Sequence, residues 1–403
     1  MILSYSPQLT VLSVEEAILT QGHTEPPSTI AEYQALAKET DVISAKPLIL
    51  PLLGFFGEVG SLVSELKKKQ RDEDAYIGYK SSVVEEIGDV LWYLACICSH
   101  TNTSVEEIAR SEFYGSSPSP DTLTFGSLQQ KCLEEAPWPT DFEMALLALC
   151  SETGAMISSH LETASIQNHK LFPNMAAAFR MIVHVANQAG INLDIAAARN
   201  LNKIFDRWPK SKVYLPLFDE QCEKEEQLPR LISIAMFEKK FEKGTYVYQQ
   251  CNDVNIGDRL TDNKHEEDDY RFHDVFHLAY ASVLGWSPVT RALFKVKRKS
   301  VPKLDENEDG ARAIIVEEAI SAWIFSRASQ LNYFDGLTSL DYGLLKAVRS
   351  FTHGYEVHKC PLWMWEEAIL QGYSVFRQLR SRRQGQVIAD LQHRSLSFKA
   401  TQK

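Results

Sequence analysis

The sequence has no cysteine pair in a CxxC spacing. Its 7 cysteines, Cys96, Cys98, Cys132, Cys150, Cys222, Cys251 and Cys360, are scattered over 403 residues. A zinc knuckle or a disulfide framework is therefore not expected, and a reducing cytoplasm is the expected setting. Positive charge is also short, with 42 Lys and Arg against 53 Asp and Glu and a net charge of −11. That balance argues against a broad basic surface wrapping nucleic acid, but leaves room for a local basic pocket gripping one polyphosphate. No uninterrupted apolar run reaches the ~18 residues of a membrane helix. The start of the chain has no basic stretch followed by an apolar one, so neither a leader nor a membrane partner is expected. A glycine-rich phosphate loop and an alternating strand–helix rhythm are missing too, which argues against Rossmann and P-loop folds.

What remains is mostly helical pattern. The length suggests two to three domains. After an N-terminal extension (1–27), Thr29 with Glu32 spells a capping box. Apolar-periodic helices are predicted from about Leu48 to Lys69 and from about Ser82 to His100, and a second capping box at Ser104 and Glu107 starts a shorter one. A Gly-Ser-Pro-rich loop to Pro120 closes this first unit, 28–115. The next unit, 121–210, repeats its order: Leu52–Gly60 aligns with Leu146–Gly154 at an offset of 94, and Thr103–Ala109 with Ile191–Ala197 at an offset of 88. A charged linker, Leu215 to Pro229, leads to a C-terminal, mostly helical domain, 228–403, in which Thr245–Tyr248 is a candidate short strand. The expected fold class is all-α: tandem helical-bundle units plus a C-terminal helical domain.

Glu58, Ser61 and Glu65 recur at steps that return to one helical face. On the second helix Glu86 and Asp89 share a face, with Glu85 beside Asp89. Packed antiparallel, the two helices bring four carboxylates together. Such a cluster needs a counter-ion, because like charges at close range repel strongly in a low dielectric. Mg²⁺ suits it, a hard cation that takes carboxylate oxygens and keeps waters, with Mn²⁺ as the alternative. One acid not fully used by the metal, Glu85 or Glu86, could serve as general base. Polyphosphate hydrolysis requires this combination of charge neutralisation and an oriented water.

The string Glu58-Val-Gly-Ser-Leu-Val-Ser-Glu65-Leu-Lys-Lys, followed by Val84-Glu-Glu-Ile-Gly-Asp-Val-Leu-Trp-Tyr-Leu-Ala95, resembles the MazG-type nucleotide pyrophosphohydrolases. The resemblance covers residues 28–113 well and 121–210 weakly. It implies an all-α enzyme that cleaves nucleoside or deoxynucleoside triphosphates to monophosphate and pyrophosphate with Mg²⁺. The family's ExxE–ExxD signature is met by Glu58, Glu86 and Asp89. Ser61 stands where the second Glu is expected, and Glu65 is the implied substitute. Lys67 and Lys68 are implied phosphate partners, and Trp92 is a candidate base-stacking residue. The second unit keeps Glu152 but has Asn174 and Ala177 where the first has Glu86 and Asp89. It alone carries the phosphate-contacting tail, Asn200, Lys203 and Arg207. The resemblance therefore implies an internal pseudo-dimer sharing one composite site, and homo-oligomers are usual in the family.

In the C-terminal region Asp269, His273 and His277 recur at four-residue steps, with Asp274 adjacent. A later apolar helix carries the paired acids Glu317 and Glu318. His and carboxylate ligands on facing helices suit a second divalent metal. Two rival functions follow. The chain could be a nucleotide-binding regulator with a C-terminal effector domain, or a metal-dependent phosphohydrolase with its chemistry at His273 and His277.

Overall fold

The computed structural model describes residues 27–134, 141–162, 171–262, 266–305 and 308–401. Residues 1–26 of the expected N-terminal extension lie outside them. The chain divides into two compact units, Met1–Trp208 and Pro209–Lys403.

The first unit is helical among its described residues. Helix α1 (Ile30–Glu39) starts at Thr29, whose hydroxyl accepts from Glu32 N. Helices α2 (Ile49–Asp72) and α3 (Tyr79–His100) form a long hairpin. Helix α4 (Val105–Phe113) begins at a complete capping box between Ser104 and Glu107. The order then recurs: α5 (Phe125–Glu134), the hairpin α6 (Phe142–Glu162) with α7 (Phe172–Gln188), and α8 (Leu193–Arg207) capped by Asn192. The hairpins meet through α2 and α6, and their last helices are exchanged: α8 packs on α3, and α4 packs on α7. One core, from Ile30 to Ile204, runs through both halves. Helix α2 has the length and apolarity of a membrane span by composition, with a mean hydropathy of 1.4 over 18 residues, of which 33% are buried in the fold. Its outward apolar residues include Leu53 and Phe56.

Gly88 sets how closely α8 approaches α3. A Cβ there would lie 2.8 Å from the Ala196 carbonyl oxygen and 2.9 Å from Asn200 Cβ. Relief requires moving helix backbone, because the carbonyl cannot swing aside. Gly88→Val is therefore expected to cost about 2–3 kcal/mol, as overpacked cores do. That lowers the melting temperature by roughly 5–10 °C for a unit of this size. Calorimetry checks it, and an unchanged transition would show that the helix contact gives way freely.

The second unit corrects the all-α expectation. It contains a five-stranded antiparallel sheet in the order β3-β2-β1-β4-β5. The strands are β1 (Leu231–Phe241), β2 (Gly244–Cys251), β3 (Val254–Asn255), β4 (Gln384–Asp390) and β5 (Ser395–Lys399). Ile232, Ile234 and Met236 alternate inward along β1, the period-2 pattern of a sheet with one covered face. The expected strand at Thr245–Tyr248 lies inside β2, but it is one of five. Asn252 and Asp253, both at positive φ, make the two-residue turn into β3. The helices are α9 (Asp274–Ala279), α10 (Pro288–Phe294), α11 (Pro302–Asp305), α12 (Glu308–Ala328), α13 (Tyr342–Phe351) and α14 (Leu362–Arg382). Trp363 and Trp365 are core residues. The segment Leu215–Pro229, expected as a linker, is integral to this unit. Its buried Asp219 accepts from Leu228 N at 2.7 Å, Arg230 at 2.8 Å and Arg291 at 2.7 Å.

Candidate active site

In the first unit, Glu58 of α2 meets Glu86 and Asp89 of α3, with one carboxylate oxygen from each lying within 4.8 Å of the others. The helical period places Glu86 and Asp89 on one face of α3, and the hairpin turns Glu58 towards them. Two cationic or polar groups arrive from α8. Asn200 Nδ2 donates to Asp89 Oδ1 at 2.7 Å, and Lys203 Nζ binds both Asp89 oxygens and reaches Glu85 at 3.4 Å. Residues more than a hundred positions apart thus share one cluster. Arg207 stacks on Trp208, with its guanidinium carbon 4.4 Å from the ring centroid.

The electrostatics are those of an under-neutralised acid cluster. Burial pushes the Glu86 carboxyl up to about 8, and the neighbouring Asp89 and Glu58 charges push the same way. Glu58 is raised by burial and by Asp89, with Lys203 opposing. Burial raises Asp89 as well, although Lys203 and Asn200 hold its charged form.

The other sequence-selected residues of this unit have different surroundings. Glu65 falls outside the cluster of three: its carboxylate accepts from Lys68 Nζ at 2.5 Å and from the Tyr76 hydroxyl. That pairing turns Lys68 towards Glu65, while Lys67 is exposed. Trp92 is 7% exposed and donates to Thr40 Oγ1 at 3.1 Å, so its ring belongs to the core and is not a stacking platform. In the second half, Asn174 donates to Ser159 Oγ at 2.6 Å and provides no acid.

The second unit holds another cluster. His273, Asp274 and His277 each bring a ligand atom within 4.8 Å of the others. Asp269, expected on the same face, is not with them. It has φ of 67°, a short 3₁₀ turn follows it, and the α-helix begins only at Asp274. The four-residue count from Asp269 therefore breaks. Its carboxylate instead pairs with Arg271, Arg380 and Arg383. Glu317 and Glu318 of α12 face the histidines from across the fold. Glu317 accepts from Ser287 Oγ at 2.6 Å and Val289 N at 2.8 Å, and lies 2.9 Å from His277 Nδ1. Burial alone would push the His277 imidazole down, but Glu317 and Glu318 overcome it and raise it well above its ordinary value. Gln249 of β2, which donates to Asp274, and Ser287 carry no chemical motif that would single them out in the sequence.

No curated protein and no solved structure is a significant match to the chain. Residues 213–402 match the family model described as the MazG C-terminal domain. The match lies on the second unit, outside the segments 28–113 and 121–210 that carry the signature-like acids, and it is a similarity of that unit.

Proposed function

We propose that the first unit hydrolyses nucleoside or deoxynucleoside triphosphates to monophosphate and pyrophosphate, using Mg²⁺ held by Glu58, Glu86 and Asp89. The observation that carries this reading is the meeting of these three acids from α2 and α3 with Asn200 and Lys203 from α8. The MazG C-terminal match supports a nucleotide pyrophosphatase-type function.

The acid cluster fits the ion. It offers three hard oxygen donors, whose charged forms burial and the neighbouring acids disfavour despite Lys203. When bound, Mg²⁺ would neutralise phosphate charge and lower the pKa of a bound water. The chain's own residues do the rest. Glu85, beside the cluster and 3.4 Å from Lys203, is positioned to orient a water or take its proton. Lys203 supplies positive charge to a polyphosphate, and Asn200 fixes Asp89 by hydrogen bonding. The exchanged packing of α4 and α8 favours the two halves acting as a pseudo-dimer with a single composite site.

The test is incubation of the purified chain with Mg²⁺ and a panel of nucleoside and deoxynucleoside triphosphates, with products resolved chromatographically. Equal amounts of monophosphate and pyrophosphate are expected. Nucleotide binding with no product would instead assign the unit to regulation. Product formation that survives loss of Glu86 but not of His277 would move the chemistry to the second unit.

A further inference from the structure

We propose that the second unit binds one divalent transition-metal ion of the Zn²⁺ class on His273, Asp274, His277 and Glu318. The inference rests on the second unit alone and stands whether or not the first hydrolyses nucleotides.

Both imidazoles are oriented as metal ligands are. A ligating histidine commits one ring nitrogen to a carboxylate or carbonyl and presents the other. His273 Nδ1 lies 2.9 Å from the Tyr270 carbonyl oxygen, and His277 Nδ1 lies 2.9 Å from Glu317 Oε1. Glu317 is itself fully buried and fixed by Ser287 and the Val289 amide, so it orients the ring and has no oxygen to spare. The two Nε2 atoms are thereby turned to the same place. That of His277, a residue 2% exposed, is buried and has no close hydrogen-bond partner, with Glu318 Oε1 standing off at 3.5 Å. A buried polar atom left over this way is expensive unless something takes its lone pair.

His273, Asp274 and His277 bring their ligand atoms within 4.8 Å of one another, and Glu318 approaches both imidazoles. His273 Nε2 lies 3.2 Å from Asp274 Oδ1 and 4.0 Å from Glu318 Oε2, and His277 Nε2 lies 3.5 Å from Glu318 Oε1. Ligand bonds of about 2.0–2.1 Å put neighbouring donors of a tetrahedral ion about 3.3 Å apart. Asp274 is held from its other side by Gln249. Two nitrogens with two carboxylates favour a borderline transition metal over Mg²⁺. The Glu318 side chain is 43% exposed, so the cluster has a wet side where water could complete the shell. Three residues after His277, Tyr280–Leu284 form a π-helical turn, a distortion frequent at functional sites.

The experiment uses the full chain carrying E86Q and D89N, so that the acids of the first unit do not compete. After chelation and desalting, it is titrated with Zn²⁺ by calorimetry and with Co²⁺ by visible absorption. One equivalent of each is expected, with Co²⁺ bands typical of nitrogen–oxygen coordination. H273A and E318Q should each weaken binding tenfold or more. Because Glu318 is partly exposed, E318Q is expected to fold, which keeps the test decisive if H273A does not. No binding, or binding unchanged by both substitutions, would overturn the proposal and leave the cluster as an ion pair between a protonated His277 and its two glutamates.

Discussion

Glu86→Gln is expected to cut pyrophosphate release sharply and yet stabilise the metal-free protein. The activity loss follows from removing a central oxygen of the three-acid cluster. A reduction of roughly a thousandfold, about 4 kcal/mol of barrier, is the scale of losing a bound metal's contribution. The stability gain follows from the raised Glu86 carboxyl, which reaches about 8 in the folded chain. Between about pH 4.5 and 8 the folded state therefore binds more protons than the unfolded one, and stability falls as pH rises through that window. Gln has the same shape without the charge. In chelator, E86Q should match the wild type near pH 5 and exceed it near pH 8, by about 1–2 kcal/mol once solvent screening is allowed for. Mg²⁺ should raise the melting temperature of the wild type and leave that of E86Q nearly unchanged. A variant that is destabilised at pH 8 in chelator would show that Glu86 serves the fold and not a cation.

The opposite signs expected of these two effects would mark the acid cluster as a place where the fold carries a cost for chemistry, and the same conflict makes the cluster legible in the sequence. Glu86 and Asp89 interrupt a run that otherwise buries Val83, Val84, Ile87, Val90 and Leu91. Acids spaced on one face of so apolar a helix have few structural uses. The same periodicity reads out the hairpin and both helix starts at Thr29 and Ser104, because capping and amphipathicity are local properties. Glu65 is misplaced by the same reasoning. Helical spacing brings it near the site, but Tyr76 in the following polar gap and Lys68 one turn on capture its carboxylate. Asp269 fails for a backbone reason, since its positive φ cuts it off from the helix of His273 and His277. The sheet is hidden differently. The inner alternation of β1 runs straight into Glu238-Lys239-Lys240, which reads as a solvated helix face, and β4 follows α14 with only Arg383 in a left-handed turn where glycine would signal the break. Strand pairing across more than a hundred residues, such as Ile234 with Val387, leaves no local trace in either segment.

Lys203→Ala is expected to move metal and nucleotide affinity in opposite directions. The ammonium now sits on Asp89 and 3.4 Å from Glu85, so it competes with any cation for the same oxygens. Removing it deepens the negative potential of the cluster, and the half-saturating Mg²⁺ concentration should fall severalfold. A triphosphate, in contrast, loses a charge-assisted partner of about 1.5–3 kcal/mol, which raises KM tenfold or more. Lys203→Arg should restore most of KM, because charge and reach are retained even though the geometry changes. Steady-state kinetics over a grid of Mg²⁺ and nucleotide concentrations separates the two effects. A lysine that only braces α8 against α3 would weaken both together and would also lower the melting temperature in the arginine variant. KM unchanged within twofold would remove the composite site, and with it the reason for keeping a second half that has Asn174 and Ala177 where the first has Glu86 and Asp89.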